Sequence, residues 1–425
     1  MAEDPLIALP AAVRMNLLSP SRISAAYLTL EERYNDLPLW GSGRIDPWHH
    51  EVPDTPWPAS PVSKVASKLS RQESVEMRRS ALVLFFIIFP AWARAQTVAL
   101  PKVTPWPQNR VAAVSLTFDD ALPTQLDIAA PILKKHHLHG TFFVVTGAKT
   151  WTGRSADWCR LAAEGNEIGS HTVHHPCLLD GFKPNARDYT AEMMRAELRD
   201  SAHEIASQLG TRRGLTLAYP CCNMTFGPPA EQARNQAAYL AMAAEYYFAA
   251  RGDNGGMPVN PPELNPLTIN GLSRTVGVDA PALIAMLPPI FPGNQWGVFT
   301  FHGIGGDNLS TTAEALDRLA GHLEQHPEIW CATMGDAVRY ILERKALEIE
   351  VERAEVGRMQ FKLRWPLDAR VFDLPLTLRW QAPGEWKAFE CRADGRTLKY
   401  ASGGGTNEVL VDVPPQTKEL RFEAK

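Results

Sequence analysis

The sequence predicts a parallel α/β fold, either a barrel or an open sheet, followed by a small antiparallel β domain. Two observations support this fold class. Between about residues 111 and 340, short apolar runs alternate with stretches that have apolar residues at three- and four-residue steps, as strands and helices do in turn. After about residue 345, polar and apolar residues alternate between turns such as PGE and SGGG, which is typical of an all-β sandwich.

Seven apolar runs in the first region are predicted strands. They are almost without polar residues, as expected of strands that are buried on both faces of a parallel sheet. Amphipathic stretches between them, such as DIAAPILKKHH and YTAEMMRAELRDSAHEIASQLG, are predicted helices. The predicted strands are residues 113–118, 141–146, 167–170, 215–219, 246–250, 297–301 and 329–332.

Residues that can bind a metal or take part in catalysis follow four of these strands at their carboxyl ends. In parallel α/β folds, binding and catalysis gather at this edge of the sheet. We therefore expect a functional site there. The residues concerned are Asp119 and Asp120 after the first strand, His171 after the third, Pro220, Cys221 and Cys222 after the fourth, and His302 and Gly303 after the sixth.

The N-terminal part of the chain carries a predicted export signal. The segment MRRSALVLFFIIFPAWARAQ begins at Met77 and has the basic, apolar and A-x-A order of a signal peptide, with cleavage predicted after Ala95. Its apolar core is shorter than the roughly 20 residues that span a bilayer. We expect an exported protein, in the periplasm, cell envelope or extracellular space, without a stable membrane span.

The 76 residues before Met77 are rich in Pro and Trp and show no sustained periodicity. We interpret them as a non-structural extension or an over-extended reading frame, and a genuine cytoplasmic extension is the alternative. The formal net charge of the chain is −4, and no basic run stands out, so nothing indicates a nucleic-acid partner.

Three histidines and two adjacent carboxylates point to a metal site. Asp119 and Asp120 repel each other unless a cation or a shared proton intervenes, although an Asp at such a place also caps turns and helices. Residues three or four apart share one face of a helical turn, so His171 can pair with His174 or with His175, and spacing does not decide between them. Two histidines and one carboxylate suit Zn²⁺ with an open position for water.

The chain resembles the polysaccharide deacetylases with a NodB-type domain, carbohydrate esterase family four, over about residues 110–340. The family motif T-F-D-D stands at residues 117–120, and H-[ST]-x-x-H-P stands at residues 171–176. The resemblance implies a distorted barrel of seven parallel strands. Together with the export signal and the change of pattern after residue 345, it predicts four parts of the chain: the extension (1–76), the signal peptide (77–95), the NodB-type domain (96–345) and the small β domain (346–425).

The resemblance also implies roles for individual residues. Asp120, His171 and His175 would hold a divalent metal, with zinc preferred, and His174 occupies a variable position of the motif. Asp119 would be the general base. His302, in FTFHGIGG, would be the general acid.

The function implied is a secreted, metal-dependent hydrolase that removes acetyl groups from an N-acetylated polysaccharide, with an acetylated glycan as its partner. Two alternatives keep the fold and change the substrate, an O-acetyl ester or a small cyclic amide. A non-catalytic glycan-binding protein is the third.

Two family motifs are altered in this chain. The third, usually R-x-P-Y, reads Ala218-Tyr219-Pro220-Cys221, so the Arg is absent and Cys221 replaces the Tyr. Tyr219 and Cys221 are candidates for contact with the substrate, and a backbone N–H near Cys221 can still stabilise an oxyanion. The acidic fourth motif is not recognisable. Arg251 or Asp253, in RGDNGG, are candidates to replace it or to contact substrate, and a surface turn is the alternative.

The cysteine after the second motif suggests a crosslink. We predict a disulfide from Cys177 to Cys221 or Cys222, because the fold would bring these two strand ends together. A cysteine as a fourth zinc ligand is the alternative, although it would close the open position of the metal. Aromatic residues near strand ends are candidates for stacking on sugar rings or for simple packing: Trp151, Tyr219 and Trp296.

Overall fold

The computed structural model describes residues 99–211, 214–252 and 255–425. The described residues belong to one compact unit. The predictions for the N-terminal extension, the signal peptide and Asp253 lie outside them. Among the helices that are described, none is both long and apolar enough to cross a membrane.

The described strands follow in chain order. They are β1 (Lys102–Val103), β2 (Ala112–Asp119), β3 (Thr141–Val144), β4 (Glu167–Ser170), β5 (Leu215–Ala218), β6 (Tyr247–Arg251), β7 (Ser273–Arg274), β8 (Trp296–Phe301), β9 (Ile329–Cys331), β10 (Glu348–Glu355), β11 (Arg358–Arg364), β12 (Leu376–Gln381), β13 (Phe389–Ala393), β14 (Arg396–Leu398), β15 (Tyr400–Ser402), β16 (Glu408–Val413) and β17 (Glu419–Ala424).

The described α-helices lie between and after the parallel strands. A π-helical turn, Gln125–Ala129, leads into the first of them. They are α1 (Ala130–Lys135), α2 (Lys149–Gly153), α3 (Ser155–Ala163), α4 (Ala191–Leu209), α5 (Gln232–Tyr246), α6 (Ala280–Ala285), α7 (Ala313–Gln325) and α8 (Met334–Ala346).

The predicted parallel α/β fold is confirmed. Strands β2 to β8 form one sheet in the order β6-β5-β4-β3-β2-β8-β7. Backbone hydrogen bonds join its two ends: the N–H of Ile269 donates to Ala250 O (2.9 Å), and the N–H of Leu272 donates to Val298 O (2.7 Å). The segment that leads into β7 therefore lies between β6 and β8, and the sheet curls into a distorted barrel.

One predicted strand has a different place from the one expected. The run at residues 329–332 forms β9, which pairs only with the first half of β2. The position between β6 and β8 is filled by β7, which the sequence did not predict. A two-residue strand is too short to show any hydrophobic period.

The long helix α4 shows how local sequence signals position the layer outside the barrel. The side chain of Thr190 caps its first turn, and Gly210, with φ +62°, ends it in the left-handed region. Leu198, Ala202 and Ile205 recur at helical spacing and are fully buried in the core around the barrel.

The C-terminal region is all-β, as predicted. Its two antiparallel sheets have the orders β1-β12-β16-β15 and β10-β11-β17-β13-β14. Phe361, Trp380 and Phe422 fill the core of this region, and the last two rings stack at 4.1 Å. Strand β1 comes from the start of the described chain and pairs with β12. The domain boundary at residue 345 stays a prediction.

Candidate active site

A cavity of 560 Å³ opens at the carboxyl ends of the barrel strands. Asp119, Asp120, His171, His175 and His302 all line it, so the residues predicted as ligands, base and acid meet in one place. The remaining lining residues are Val145, Ala148, Leu179, Phe182, Cys221, Cys222, Val276, Thr300, Asn308 and Leu309.

Three of these side chains form a set that fits a metal ion. The Oδ1 atom of Asp120 lies 3.6 Å from Nε2 of His171 and 3.4 Å from Nε2 of His175. The Nδ1–H of His171 donates to the carbonyl of Ala218 at 2.7 Å, which leaves the lone pair of Nε2 on the side of Asp120. Metal-bound histidines are held by such outer hydrogen bonds. The donor set therefore fits a zinc-type cation.

The backbone of two of these three residues is strained. Asp120 has φ +82° and His175 has φ +57°, in the left-handed region that costs a non-glycine residue about 1–3 kcal/mol. The hydroxyl of Thr172, another residue with positive φ (+66°), accepts the N–H of His175 at 3.1 Å. Strain that surrounding contacts maintain is common at functional sites.

His174 faces away from this set. Its Nδ1–H donates to Oε1 of Glu197 at 2.8 Å, and 64% of its side chain is exposed. Oε2 of Glu197 accepts the backbone N–H groups of Val173 and His174 at 2.9 Å each. Glu197 was not predicted from the sequence. The sequence signal that could have identified it is a carboxylate among the apolar residues on the buried face of α4, because a buried carboxylate needs a partner.

Asp119 is held by Arg251. One guanidinium NH₂ of Arg251 donates to Oδ2 of Asp119, and the other donates to the hydroxyl of Thr300. Only 2% of Arg251 and 4% of Asp119 is exposed. The prediction that Arg251 replaces the acidic fourth motif or contacts substrate is therefore corrected, because its guanidinium is buried against Asp119 and does not line the cavity.

The position of Arg251 relates directly to the altered third motif. Ala218 stands where the family pattern has Arg, and Ala218 and Arg251 are register partners on the adjacent strands β5 and β6. An arginine is thus present at the same level of the barrel, one strand further along. The sequence did not reveal this, because strand register cannot be read from the two segments separately.

The two adjacent carboxylates have opposite electrostatic environments. Burial raises the pKa of Asp119, but the guanidinium of Arg251 and the nearby His171 and His302 lower it more, so its pKa is below the usual value. Burial and the charge of Asp119 raise the pKa of Asp120 to about 6. Burial lowers the pKa of His171 to about 3. Near neutral pH, Asp119 is therefore ionised and His171 is neutral.

These values predict how the affinity for a divalent cation depends on pH. The cation competes with a proton for Asp120, whose pKa is about 6, while His171 is neutral throughout this range. Affinity should therefore be about tenfold weaker at pH 5 than at pH 7, because one bound proton has to leave. Calorimetric titration of metal-free protein with Zn²⁺ measures this, and an affinity that does not change between the two pH values would contradict it.

His302 lies at the end of β8 and is half-buried. Its Nδ1 atom is buried and has no hydrogen-bond partner among the described residues. The side-chain amide of Gln125 donates to the carbonyls of both His302 and Asp119, so it joins the ends of β8 and β2.

The residue after His302 is Gly303, where a Cβ atom would lie 2.2 Å from the carbonyl of Gly306. Only glycine fits this turn.

A disulfide joins the loop of residues 171–177, here called the metal loop, to the end of β5. It links Cys177 and Cys221, whose Cα atoms are 5.7 Å apart, and Cys222 is outside it. Of the two predicted partners for Cys177, the structure therefore contains Cys221. Nδ1 of His175 lies 3.6 Å from Sγ of Cys177, so the disulfide packs directly against one of the three candidate ligands.

Two roles were open for the aromatic residues near strand ends, stacking on sugar rings and simple packing, and the structure favours packing for all three. Trp151 and Trp296 are fully buried, and Tyr219 is 1% exposed. The indole of Trp296 donates to Ser115 Oγ at 3.0 Å, and the ring of Tyr219 packs on Tyr239 at 5.1 Å. Buried rings cannot contact a substrate. The apolar part of the cavity wall is instead formed by Val145, Ala148, Leu179, Phe182, Val276 and Leu309.

Comparison with known proteins identifies the central segment. Residues 108–241 match the family model described as polysaccharide deacetylase. This segment belongs to the polysaccharide deacetylase family. The match confirms the resemblance, and it includes Asp119, Asp120, His171 and His175. The deacetylase match ends before Arg251 and His302.

Individual relatives are more distant. A gellan lyase from Bacillus sp is 26% identical over 346 residues, which are 74% of this chain but 13% of that enzyme. A peptidoglycan deacetylase from Bacillus subtilis is 18% identical, with 57% of this chain and 96% of that chain covered and a TM-score of 0.37.

A CE4 family pseudoenzyme from Bacillus anthracis is 17% identical, with 54% of this chain and 66% of that chain covered and a TM-score of 0.36.

Proposed function

We propose that this protein is an exported, metal-dependent hydrolase that removes acetyl groups from an N-acetylated polysaccharide. The observation that carries the proposal is the placement of Asp119 beside the set of Asp120, His171 and His175 in one cavity. A carboxylate base next to a three-ligand cation site can promote the attack of water on an acyl group, because the cation polarises the carbonyl and the base accepts a proton from the water. The family of residues 108–241 supports a glycan as the substrate.

Asp120, His171 and His175 would hold the cation, and zinc suits this donor set. When bound, a divalent cation supplies Lewis acidity, which polarises an acyl carbonyl and makes water more acidic. The chain provides the remaining groups. Oδ1 of Asp119 is buried and without a partner among the described residues, so it is available to accept the proton of the attacking water.

The proposed acid is His302, which donates a proton to the leaving nitrogen, because an amine leaves poorly as an anion. A backbone N–H near Cys221, at the cavity wall, would donate to the developing oxyanion. Arg251 keeps Asp119 ionised and oriented. Since the base must be deprotonated and the acid protonated at the same pH, the pH–rate profile should be bell-shaped.

Acetate release tests the proposal. The substrates are N-acetylglucosamine oligomers, peptidoglycan and an O-acetylated exopolysaccharide, each with metal-loaded protein and with protein treated with a chelator. We expect release from an N-acetylated polymer that stops with the chelator and returns when Zn²⁺ is added. Release from the O-acetylated polymer alone would identify an esterase. Binding without release from any polymer would identify a glycan-binding protein.

A further inference from the structure

A second group of metal-capable side chains lies on the other side of the His175 ring. The Nε2 atom of His175 faces Asp120 at 3.4 Å, whereas Nδ1 lies 3.6 Å from Sγ of Cys177. Nδ1 of His175 and the sulfurs of Cys177 and Cys221 all lie within 4.8 Å of one another. His175 is therefore shared between the candidate catalytic set and a cysteine pair.

One of the three distances in this group already has the length that a zinc site requires, and the two sulfurs can move to their own spacing only after the S–S bond between them is broken. With Zn–S of about 2.3 Å and Zn–N of about 2.0 Å, the N–S edge of a tetrahedron is about 3.5 Å long. The observed separation of Nδ1 and Sγ of Cys177 is 3.6 Å. In the disulfide the two sulfurs are not effective ligands, because the thiolate is the form that binds metals. The site therefore depends on the redox state of the cysteine pair.

We propose that reduction of the Cys177–Cys221 disulfide creates a second metal site, in which both thiolates and Nδ1 of His175 bind a soft divalent cation such as Zn²⁺, Co²⁺ or Cd²⁺. Cys221 and His175 line the cavity, so the ion enters from there and solvent completes the coordination.

The chemical balance of this step is simple. A phosphine gives two electrons to the S–S bond and becomes a phosphine oxide with the oxygen of one water, whose two protons convert the sulfurs into thiols. A dithiol gives the same two electrons together with two protons and becomes a disulfide. When the cation binds, each thiol releases its proton to solvent. A neutral imidazole has one lone pair, so His175 cannot serve both sites at once. When the reduced loop binds a cation through Nδ1 of His175, the set of Asp120 and His171 therefore loses its third ligand.

This inference goes beyond the proposed function and does not depend on it. A protein without deacetylase activity would still form the thiolate site. For a deacetylase, the consequence is a redox switch. When a disulfide oxidant takes two electrons from the cysteine pair and is itself reduced to two thiols, the S–S bond forms again and His175 returns to the catalytic set.

The test uses the full chain after removal of metal, either oxidised or reduced with a phosphine, and titrated with Co²⁺ without oxygen. We expect a thiolate-to-cobalt charge-transfer absorption in the near ultraviolet with the reduced protein only. Cys177→Ser and Cys221→Ser should abolish it. Asp120→Ala should keep it, because Asp120 is outside this site. Cys159→Ser is the control, since Cys159 lies on α3 and contacts the carbonyl of Gln208.

A second measurement needs no variant. In reduced wild-type protein, Zn²⁺ should slow alkylation of Cys177 and Cys221, as read by peptide mapping, and leave Cys159 unaffected. This result decides the matter if the serine variants do not fold. The proposal is overturned if the reduced protein, with both thiols verified by mass, shows neither the absorption nor the protection. Absorption of full intensity in both serine variants would also overturn it.

Discussion

Asp119→Asn is expected to lower kcat by roughly 10²–10⁴-fold, the usual contribution of a general base. An amide at this position cannot accept the proton of an attacking water. The cation should remain bound, because the three candidate ligands, Asp120, His171 and His175, are intact. The measurements are acetate release from an N-acetylated oligomer and metal content by elemental analysis. Near-normal kcat would show that Asp119 is not the base.

A matched experiment on His302 separates the base from the acid. His302→Ala should lower kcat by a similar 10²–10⁴-fold and also keep the metal. The two variants should differ in their pH profiles, since the first loses the acidic limb and the second loses the basic limb. If His302→Ala changed only KM, its role would be binding and not proton transfer.

His175→Ala is expected to remove the cation and, with it, the activity. Loss of an outer hydrogen-bond partner of a ligand already costs about 10–100-fold in metal affinity, and loss of the ligand itself should cost more. The measurements are metal content after dialysis and the Zn²⁺ dissociation constant by calorimetry. Retention of one equivalent of metal at unchanged affinity would exclude His175 from the set.

His174→Ala is the control for this experiment, because it changes the adjacent histidine. The ring of His174 is largely exposed and contacts Glu197. Its removal should leave the metal bound, with at most roughly 0.5 kcal/mol lost in the free energy of unfolding, as for most surface residues. If His174→Ala lost the metal while His175→Ala kept it, the assignment taken from the family pattern would be reversed.

Much of the barrel, and the meeting of Asp120, His171 and His175 at one edge of it, could be predicted because the signals are local. The unbroken apolar runs that end in Asp119, His171 and His302 each identify a buried strand and its carboxyl end. Parallel topology then requires these ends to meet. The choice of His175 over His174 needed the family pattern, because helical spacing permits either one.

The features that the sequence did not reveal depend on contacts between distant segments. Glu197 on α4 accepts the N–H groups of Val173 and His174, and Gln125 joins two strand ends. The helical pattern of α4 indicates that Glu197 is buried, but the sequence does not reveal which distant residues either side chain contacts. The burial of Trp151 and Trp296 depends on how neighbouring elements cover them. Position at a strand end does not determine which way a ring faces.

The pairing of Ala218 with Arg251 on adjacent strands means that the guanidinium beside Asp119 is defined by its location in space and not by its address in the sequence. In such a barrel, a guanidinium can come from the neighbouring strand at the same register position and still contact the same carboxylate. A survey that accepts only chains with the expected arginine on the fourth parallel strand would discard this protein as degenerate. A survey by three-dimensional position would retain it.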